Sequence, residues 1–594
     1  VLFSQLSILS LINTWSKRGL AIALAAITTF TITGCNPASS ELQARGVSQV
    51  VQAILSDPKT FNPVLSQDAT SSSVGGMIFA GLVEQNPITG EIEPALAKSW
   101  EFSEDKLRIV FTLREGLKWS DGYPLTADDV VFTYNQLYLN PEIPSSARDI
   151  LRIGQTGALP KVEKIAALQV QFIIPEPFAP FLANTGLSIL PAHILREIIE
   201  KRDGQGRPIF FSTWSVDTPP EKIVASNAYR LNNYATSQRV VFEHNPYYWK
   251  KNERGERLPY IERVIWEIVE STDTSLLQFR SGSLDAISIT PDYFSLLKRE
   301  ENRGNFTIYN GGPDYGTNFI TFNLNQGTRN GKPLVNPIKS RWFNNLKFRQ
   351  AIAYGIDRQR MINNIYRGLG QPQNSPISVQ SPFYDEGIKG YEYSPEKAKQ
   401  LLQEAGFKYN PRQELLDADG NRVRFTLHTN AGNEIREAMG SQIREDLGKI
   451  GIRVDFSPLA FNVLTSKLDN SLDWECILLG LTGGNEPNSG ANVWFPNGNL
   501  HMFNQGKPDL EGRKIADWEE QIGQLFIAGA QELDETKRKA IYAEIQRLTS
   551  EYVPFIYLVN PLALGAVRNK IQPIEYSALG GAFWNLDELK ITDR

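Results

Sequence analysis

The chain has 594 residues, 41% hydrophobic and 21% charged, the composition of a globular protein too long for one compact core, so two or three lobes are expected. A formal net charge of −5 with no basic stripe argues against nucleic acid as a partner. Most of the 11 Trp and 21 Tyr are read as core and lobe-packing residues, with a few left to line a cleft.

Lys17-Arg18 precede an apolar run from Gly19 to Ile27, which is followed by Ile32-Thr33-Gly34-Cys35. Charge followed by an apolar run too short to span a bilayer is the order of a signal peptide. The small residues before Cys35 resemble a bacterial lipobox. We therefore expect residues 1–34 to be removed, Cys35 to carry lipid, and residues 35–47 to form a flexible tether. The alternative is a buried cysteine in a short membrane anchor.

Further along, Leu107, Ile109, Phe111 and Leu113 alternate with Arg108, Val110, Thr112 and Arg114, predicting a strand with one face in a core. Trp119-Ser120-Asp121-Gly122 reads as a turn. Thr126, three residues before Asp129, predicts a capped helix start with Val130, Tyr134 and Leu137 on one face. A catalytic use of the Asp128-Asp129 pair is the costlier account of the same residues. Gly311-Gly312-Pro313 suits a hinge, because glycine absorbs dihedral change. Ser394, Pro395 and Gly406 bracket a helix whose buried stripe is Ala398, Leu401, Leu402 and Ala405. Asp417 to Asn421 invites a calcium-loop reading, but its glycine comes two positions early, and a hairpin turn is expected. Cys476 reads as a small buried hydrophobe. Asp534 caps a helix with Ile541, Ile545 and Leu548 on one face, and Pro554 to Val559 predicts a buried strand. There is no G-x-x-x-x-G-K-[ST] and no G-x-S-x-G, and His193, His244, His428 and His501 are scattered. No cofactor, metal site or catalytic constellation is expected.

Five segments carry a resemblance. They are Pro94 to Val130 (PALAKSWEF through WSDGYPLTADDV), Phe242 to Trp249 (FEHNPYYW), Leu258 to Asp285 (LPYI through FRSGSLD), Phe348 to Arg358 (FRQAI through GIDR) and Ser394 to Ala398 (SPEKA). In this order they resemble the extracytoplasmic solute-binding proteins of peptide-type ABC importers, the oligopeptide, dipeptide and nickel family. That resemblance implies an α/β, two-lobed periplasmic binding protein type II-like fold with an inserted subdomain and mixed sheets flanked by helices. Mapped here, residues 48–80, 223–310 and 541–594 form one lobe, 81–222 the inserted subdomain, and 311–540 the opposing lobe. It also implies a monomer, lipid-anchored on the periplasmic side, that hands a peptide or other small solute to a permease and ATPase.

The ligand is expected where an apolar strand from Trp474 opens into Gly480-Leu481-Thr482-Gly483-Gly484, because glycines let another backbone approach and pair. Relatives place an aspartate there that grips the peptide's α-amino group; this chain has Gly483 or Gly484 instead, followed by Asn485-Glu486-Pro487. Gly480, Thr482, Gly483, Asn485, Glu486 and Trp494 are the candidate binding residues, with Glu486 a substitute for the missing carboxylate. A plain hinging loop is the other reading. Asp68, Thr70 and Ser71 are candidates for a second wall, or simply cap the helix they precede. Ser226 to Tyr229 is expected to shape a turn and touch no ligand. The favoured function is capture of an oligopeptide for import. A metal chelate or oligosaccharide ligand, or a peptide sensor or chaperone, are the alternatives.

Overall fold

The computed structural model describes residues 46–154 and 156–592. The proposed signal peptide, Cys35 and nearly all of the tether lie outside the described residues. Among those described, no helix is long and apolar enough to cross a membrane.

Three sheets carry the architecture. In the eight-stranded sheet, Gln49–Ile54 runs parallel to both Arg263–Ile268 and Ala286–Ser288. Antiparallel strands extend it on each side: Arg239–His244 and Tyr229–Ala235 on one, Val559–Arg568 and Phe306–Pro313 on the other. The five-stranded sheet has the order Arg453–Leu459, Arg424–Asn430, Cys476–Leu481, Thr317–Phe322, Phe555–Tyr557. Its first three strands are parallel and its last two antiparallel to their neighbours. A four-stranded antiparallel sheet is formed by Ala97–Phe102, Arg108–Leu113, Gln169–Ile173 and Lys161–Ala166. Helices flank these sheets, giving the mixed α/β, two-lobed fold with an inserted module that the sequence implied.

Local chemistry explains the elements. Ile109, Phe111 and Leu113 are fully buried on one face of their strand, as period-2 alternation requires. Thr126 N–H donates to Asp129 Oδ2 at 2.9 Å while Thr126 Oγ1 accepts from Asp128 N, and Asp129 Oδ1 also accepts from Ala192 N at 3.0 Å. Burial, partly offset by these bonds, raises the Asp129 carboxyl above its usual pKa. Ser394 caps helix Pro395–Glu404 by accepting from Lys397 N, and Gly406 follows with a φ of 90°. Asp417 accepts from the backbone N–H of Asp419 and Asn421 and from the Trp342 indole, building a turn rather than a calcium loop. Cys476 is fully buried, and burial pushes its thiol well above the usual pKa.

The chain changes sheet at Asp314-Tyr315-Gly316 and again at Leu558. The first change comes later than the 311 expected from sequence, because strand Phe306–Pro313 stays paired to the eight-stranded sheet as far as Pro313. Gly312 has a φ of 84° where that pairing shifts register, so the glycine is needed at a bulge. Gly311 lies so close to the Ala578 backbone that a side chain would clash. The second change comes at Leu558 and not at 541. Helix Glu535–Tyr552 and strand Phe555–Tyr557 belong to the second lobe, whose core buries Tyr542, Ile545, Leu548 and Phe555.

Arg349 shows how that core handles charge. It is 3% exposed and its guanidinium donates to Phe343 O at 2.8 Å and to Tyr552 O at 2.8 and 3.1 Å. Burial lowers its pKa to about 10. The carbonyls belong to the last turns of two helices, where a cation is favoured. Arg349→Met should leave both carbonyls buried and unpaired, a loss of about 2–4 kcal/mol. A lower urea midpoint for the second lobe, read by tryptophan fluorescence, is the expected outcome; an unchanged midpoint would count against this role.

Candidate functional site

A cavity of about 670 Å³ lies between the lobes. One wall is Phe79, Gly81, Asn184 and Asn227; the other is Tyr315, the run Thr482 to Pro487, Trp494 and Phe526. Its size is that of a small-molecule or short-peptide site.

The lobes meet around this cavity. On one side the Asn488 amide reaches Ile150 O at 3.5 Å, Asn499 N donates to Asp149 Oδ2 at 3.1 Å, and Ala179 N donates to Ala530 O at 2.8 Å. On the other, Lys59 bonds the Thr465 hydroxyl and lies over the Phe461 ring at 5.3 Å. Burial lowers the Lys59 pKa against the pull of Asp68 and Asp469. The Tyr293 hydroxyl donates to Asp273 and stands 3.3 Å from Glu434 Oε2, so two carboxylates from opposite lobes flank one phenol. Burial, then Asp273, raises the Glu434 pKa. These contacts hold the two sides of the cavity together.

Of the residues expected from sequence, Thr482, Gly483, Asn485, Glu486 and Trp494 line the cavity. Gly480 does not; a side chain there would run into Thr317 O and stands 2.7 Å from Arg436 Nη2. At Gly483 a side chain would overlap Tyr315 O. Backbone does approach these glycines closely, as expected, but it is the chain's own backbone at 315–317, paired with strand Cys476–Leu481. Asn485 O accepts from Ser381 Oγ at 2.8 Å, and its amide faces the Gly90 turn of the inserted module.

Glu486 is held from behind. Its Oε1 accepts from Arg538 Nη2 at 2.8 Å and from Asn488 N at 3.1 Å, while Oε2 takes no bond among the described residues. Burial works against the Arg538 charge, yet Glu486 beside it holds the guanidinium pKa above its usual value. Arg538 also donates to Gly529 O at 2.8 Å and lies over the Phe383 ring at 4.7 Å. Trp494 is mostly buried, stacked on Phe526 at 6.2 Å, and presents only part of its ring to the cavity.

The second wall expected at Asp68, Thr70 and Ser71 does not form. Asp68 Oδ1 accepts from Ser71 N at 2.9 Å as the cap of helix Ala69–Ile78. Thr70 pairs with Ser56, and Ser71 Oγ accepts from Lys59 N at 2.8 Å. Asp68 and Ser71 are spent on backbone N–H groups and Thr70 on the Ser56 hydroxyl, and none of the three lines the cavity. The wall comes instead from the far end of that helix and the turn after it. Asn227, expected to shape a turn and touch no ligand, lines the cavity while its amide donates to Gly76 O at 2.7 Å. Gly81 is required where Gly186 O passes against it, a contact between distant segments that no local pattern signals. Among the described residues, Glu84 and Glu486 are the only charged ones lining the cavity.

The two neighbouring glycines give a sharp contrast. Gly483→Ala should displace Tyr315 and weaken ligand binding at least about 10-fold, a little over 1.4 kcal/mol. At Gly484 an added methyl meets only Ser489 Oγ, at 3.8 Å, so Gly484→Ala should bind within about twofold of wild type. Calorimetry on both variants checks this; equal losses would refute it.

The comparisons with known proteins agree with this geometry. Residues 91–501 match the family described as bacterial extracellular solute-binding proteins, family 5 Middle. The chain is 31% identical over 583 residues to a probable ABC transporter-binding protein of Deinococcus radiodurans, covering 93% of this chain and 94% of that one. It is 25% identical over 488 residues to the oligopeptide-binding protein AppA of Bacillus subtilis, covering 78% and 81%. The solved structure of AppA from Bacillus subtilis with a nonapeptide superposes with a TM-score of 0.77 at 22% identity, covering 92% of this chain and 99% of that one. That of MelB from Agrobacterium fabrum with stachyose gives 0.79 at 20% identity, covering 92% and 85%. The chain therefore belongs to the family 5 extracellular solute-binding proteins, the substrate-binding components of ABC importers.

Proposed function

We propose that this protein captures an oligopeptide between its lobes outside the cytoplasm, without catalysis, and presents it as a monomer to a separate permease powered by a partner ATPase. The observation that carries the reading is the cavity walled by both lobes, whose charged lining among the described residues is Glu84 and Glu486. Such a wall suits a ligand with a cationic end and an otherwise neutral body. The peptide names of relatives such as AppA support the class. Closure couples to capture because only the closed state touches ligand from both sides. A native mass spectrum of the purified protein, showing co-purified peptide, is the direct test; a bound sugar or chelate would move the ligand class and leave the receptor reading in place.

Glu486 takes the ligand ammonium on this reading, through the Oε2 that Arg538 leaves free. Losing one partner of a buried charge pair costs about 2–5 kcal/mol, so peptide N-acetylation should weaken wild-type binding about 30-fold or more. Glu486→Gln keeps the loop's shape and should erase most of the difference between free and acetylated peptide. An unchanged ratio in the variant would leave Glu486 as a brace for the 485–490 loop alone.

Tethering through lipid on Cys35 belongs to the same proposal and rests on the residues around it. Cys35→Ser should abolish acylation, leaving the protein unprocessed or released from the membrane fraction. Processing and membrane recovery at the wild-type level would refute it.

A further inference from the structure

A second cavity, of about 440 Å³, lies against the eight-stranded sheet of the first lobe. Its floor includes Gln52 and Trp266, which are register partners on neighbouring strands and so share one face of the sheet. Helix Ala69–Ile78 supplies Ser73 and Gly76, and the segment after the last long strand covers it with Tyr576 and Trp584. Among the described residues, none that lines it is charged.

Two observations point to a ligand there. Trp266 is 5% exposed, and its indole N–H is buried with no acceptor among the described residues. Buried donors are nearly always paired, so an orphan on a cavity wall calls for an acceptor brought in from the cavity. The second observation is continuity with the central cavity: Gly76 lines both, and Leu579 lines the first where Gly580 lines the second. Glycine inside a helix is unfavourable and needs a reason. Gly75 has one, since a methyl there would press on Pro63 at 3.2 Å. Gly76 has none from packing: a side chain would meet nothing within 4 Å, and its φ is not in the left-handed region. Its missing side chain leaves unfilled the space beside both cavities.

We infer that the second cavity is a far subsite of the binding site. It takes the uncharged end of a ligand too long for the central cavity, a group that combines a flat apolar face for Tyr576 and Trp584 with a hydrogen-bond acceptor for Trp266. The inference rests on the proposal that the central cavity holds a peptide, and it sets that peptide's length and the chemistry of one end.

The test uses the full chain with trialanine and with alanine pentapeptides carrying Tyr, Lys or Glu at either end. One Tyr pentapeptide should bind at least about 10-fold tighter than trialanine, and its Lys and Glu counterparts should lack that gain. Trp584→Ala, at a residue that lines the second cavity and not the central one, should remove the gain and keep trialanine affinity, which also shows that the variant is folded. The Trp266 indole N–H resonance, assigned by its loss in Trp266→Phe, should shift with the Tyr pentapeptide and stay in place with trialanine. A gain that survives Trp584→Ala, or equal gains for charged and neutral ends, would overturn the far subsite and leave peptide capture standing. If no peptide binds, peptide capture falls, and p-cresol then decides the subsite: a shift of the Trp266 resonance supports it and no shift overturns it.

Discussion

The molecule depends on how two backbone crossings are locked side by side. Where the chain leaves the eight-stranded sheet at 314–316, the buried Gln373 side chain donates to Gly316 O at 3.3 Å and accepts from Asn318 N at 3.0 Å. Asn560, beside the second crossing, donates to Asp314 O at 2.8 Å. Leu558 N bonds Asn318 O at 2.9 Å, and Gln373 N bonds Leu558 O at 3.1 Å. Every polar backbone group at the crossing that is taken out of water needs such a partner. The result is a joint where two strands pass between lobes at one fixed separation, and the cavity is the space that joint leaves. Tyr315, inside the first crossing, is itself a wall of that space.

Electrostatics at the cavity follow from the same economy. The Arg538–Glu486 pair is mostly buried, and an isolated guanidinium there would be strongly destabilising, so the carboxylate is committed to its partner through one oxygen. The pair fixes the 485–490 loop to helix 535–552 and aims the remaining oxygen. The family resemblance alone leads to the expectation of an aspartate at Gly483 or Gly484. Here that position is glycine, and Tyr315 O occupies the space a side chain would need. The close approach of the crossing to the strand leaves no room for a carboxylate side chain at Gly483.

Closure also brings like charges together. Asp273 and Glu434 face one another across the seam with Tyr293 between them. Burial and the nearby Asp273 raise the Glu434 pKa, so an ionised Glu434 weakens this contact across the seam and its protonation relieves it. Lys59, set against Thr465 and Phe461 and attracted by Asp68 and Asp469, pulls the same edge together. Ligand contacts on both walls decide the balance between these opposing terms.

Local pattern was enough for much of this protein. Alternation from Leu107 to Leu113, the Thr126–Asp129 cap, the Ser394 cap with Gly406, and the buried run at Phe555 are each properties of a few consecutive residues, and each appears where the sequence puts it. Family motifs in their order supplied the lobed fold, and the glycines after strand 476–481 marked one cavity wall. The other wall was not legible. Asp68 and Ser71 have the same cap pattern whether or not they face a ligand, and only the packing of Ser71 against the 59–60 backbone consumed their polar atoms. Gly81 and Asn227 became site residues through contacts with segments over a hundred residues away, at Gly186 and Gly76. Such contacts leave no periodic trace in one sequence. The partner of Glu486 lies 52 positions along the chain, on a helix that periodicity predicts but cannot orient. Residue type and spacing determine which side chains can bind; the crossing of two strands and the fit of distant backbones decide which of them are free to do so.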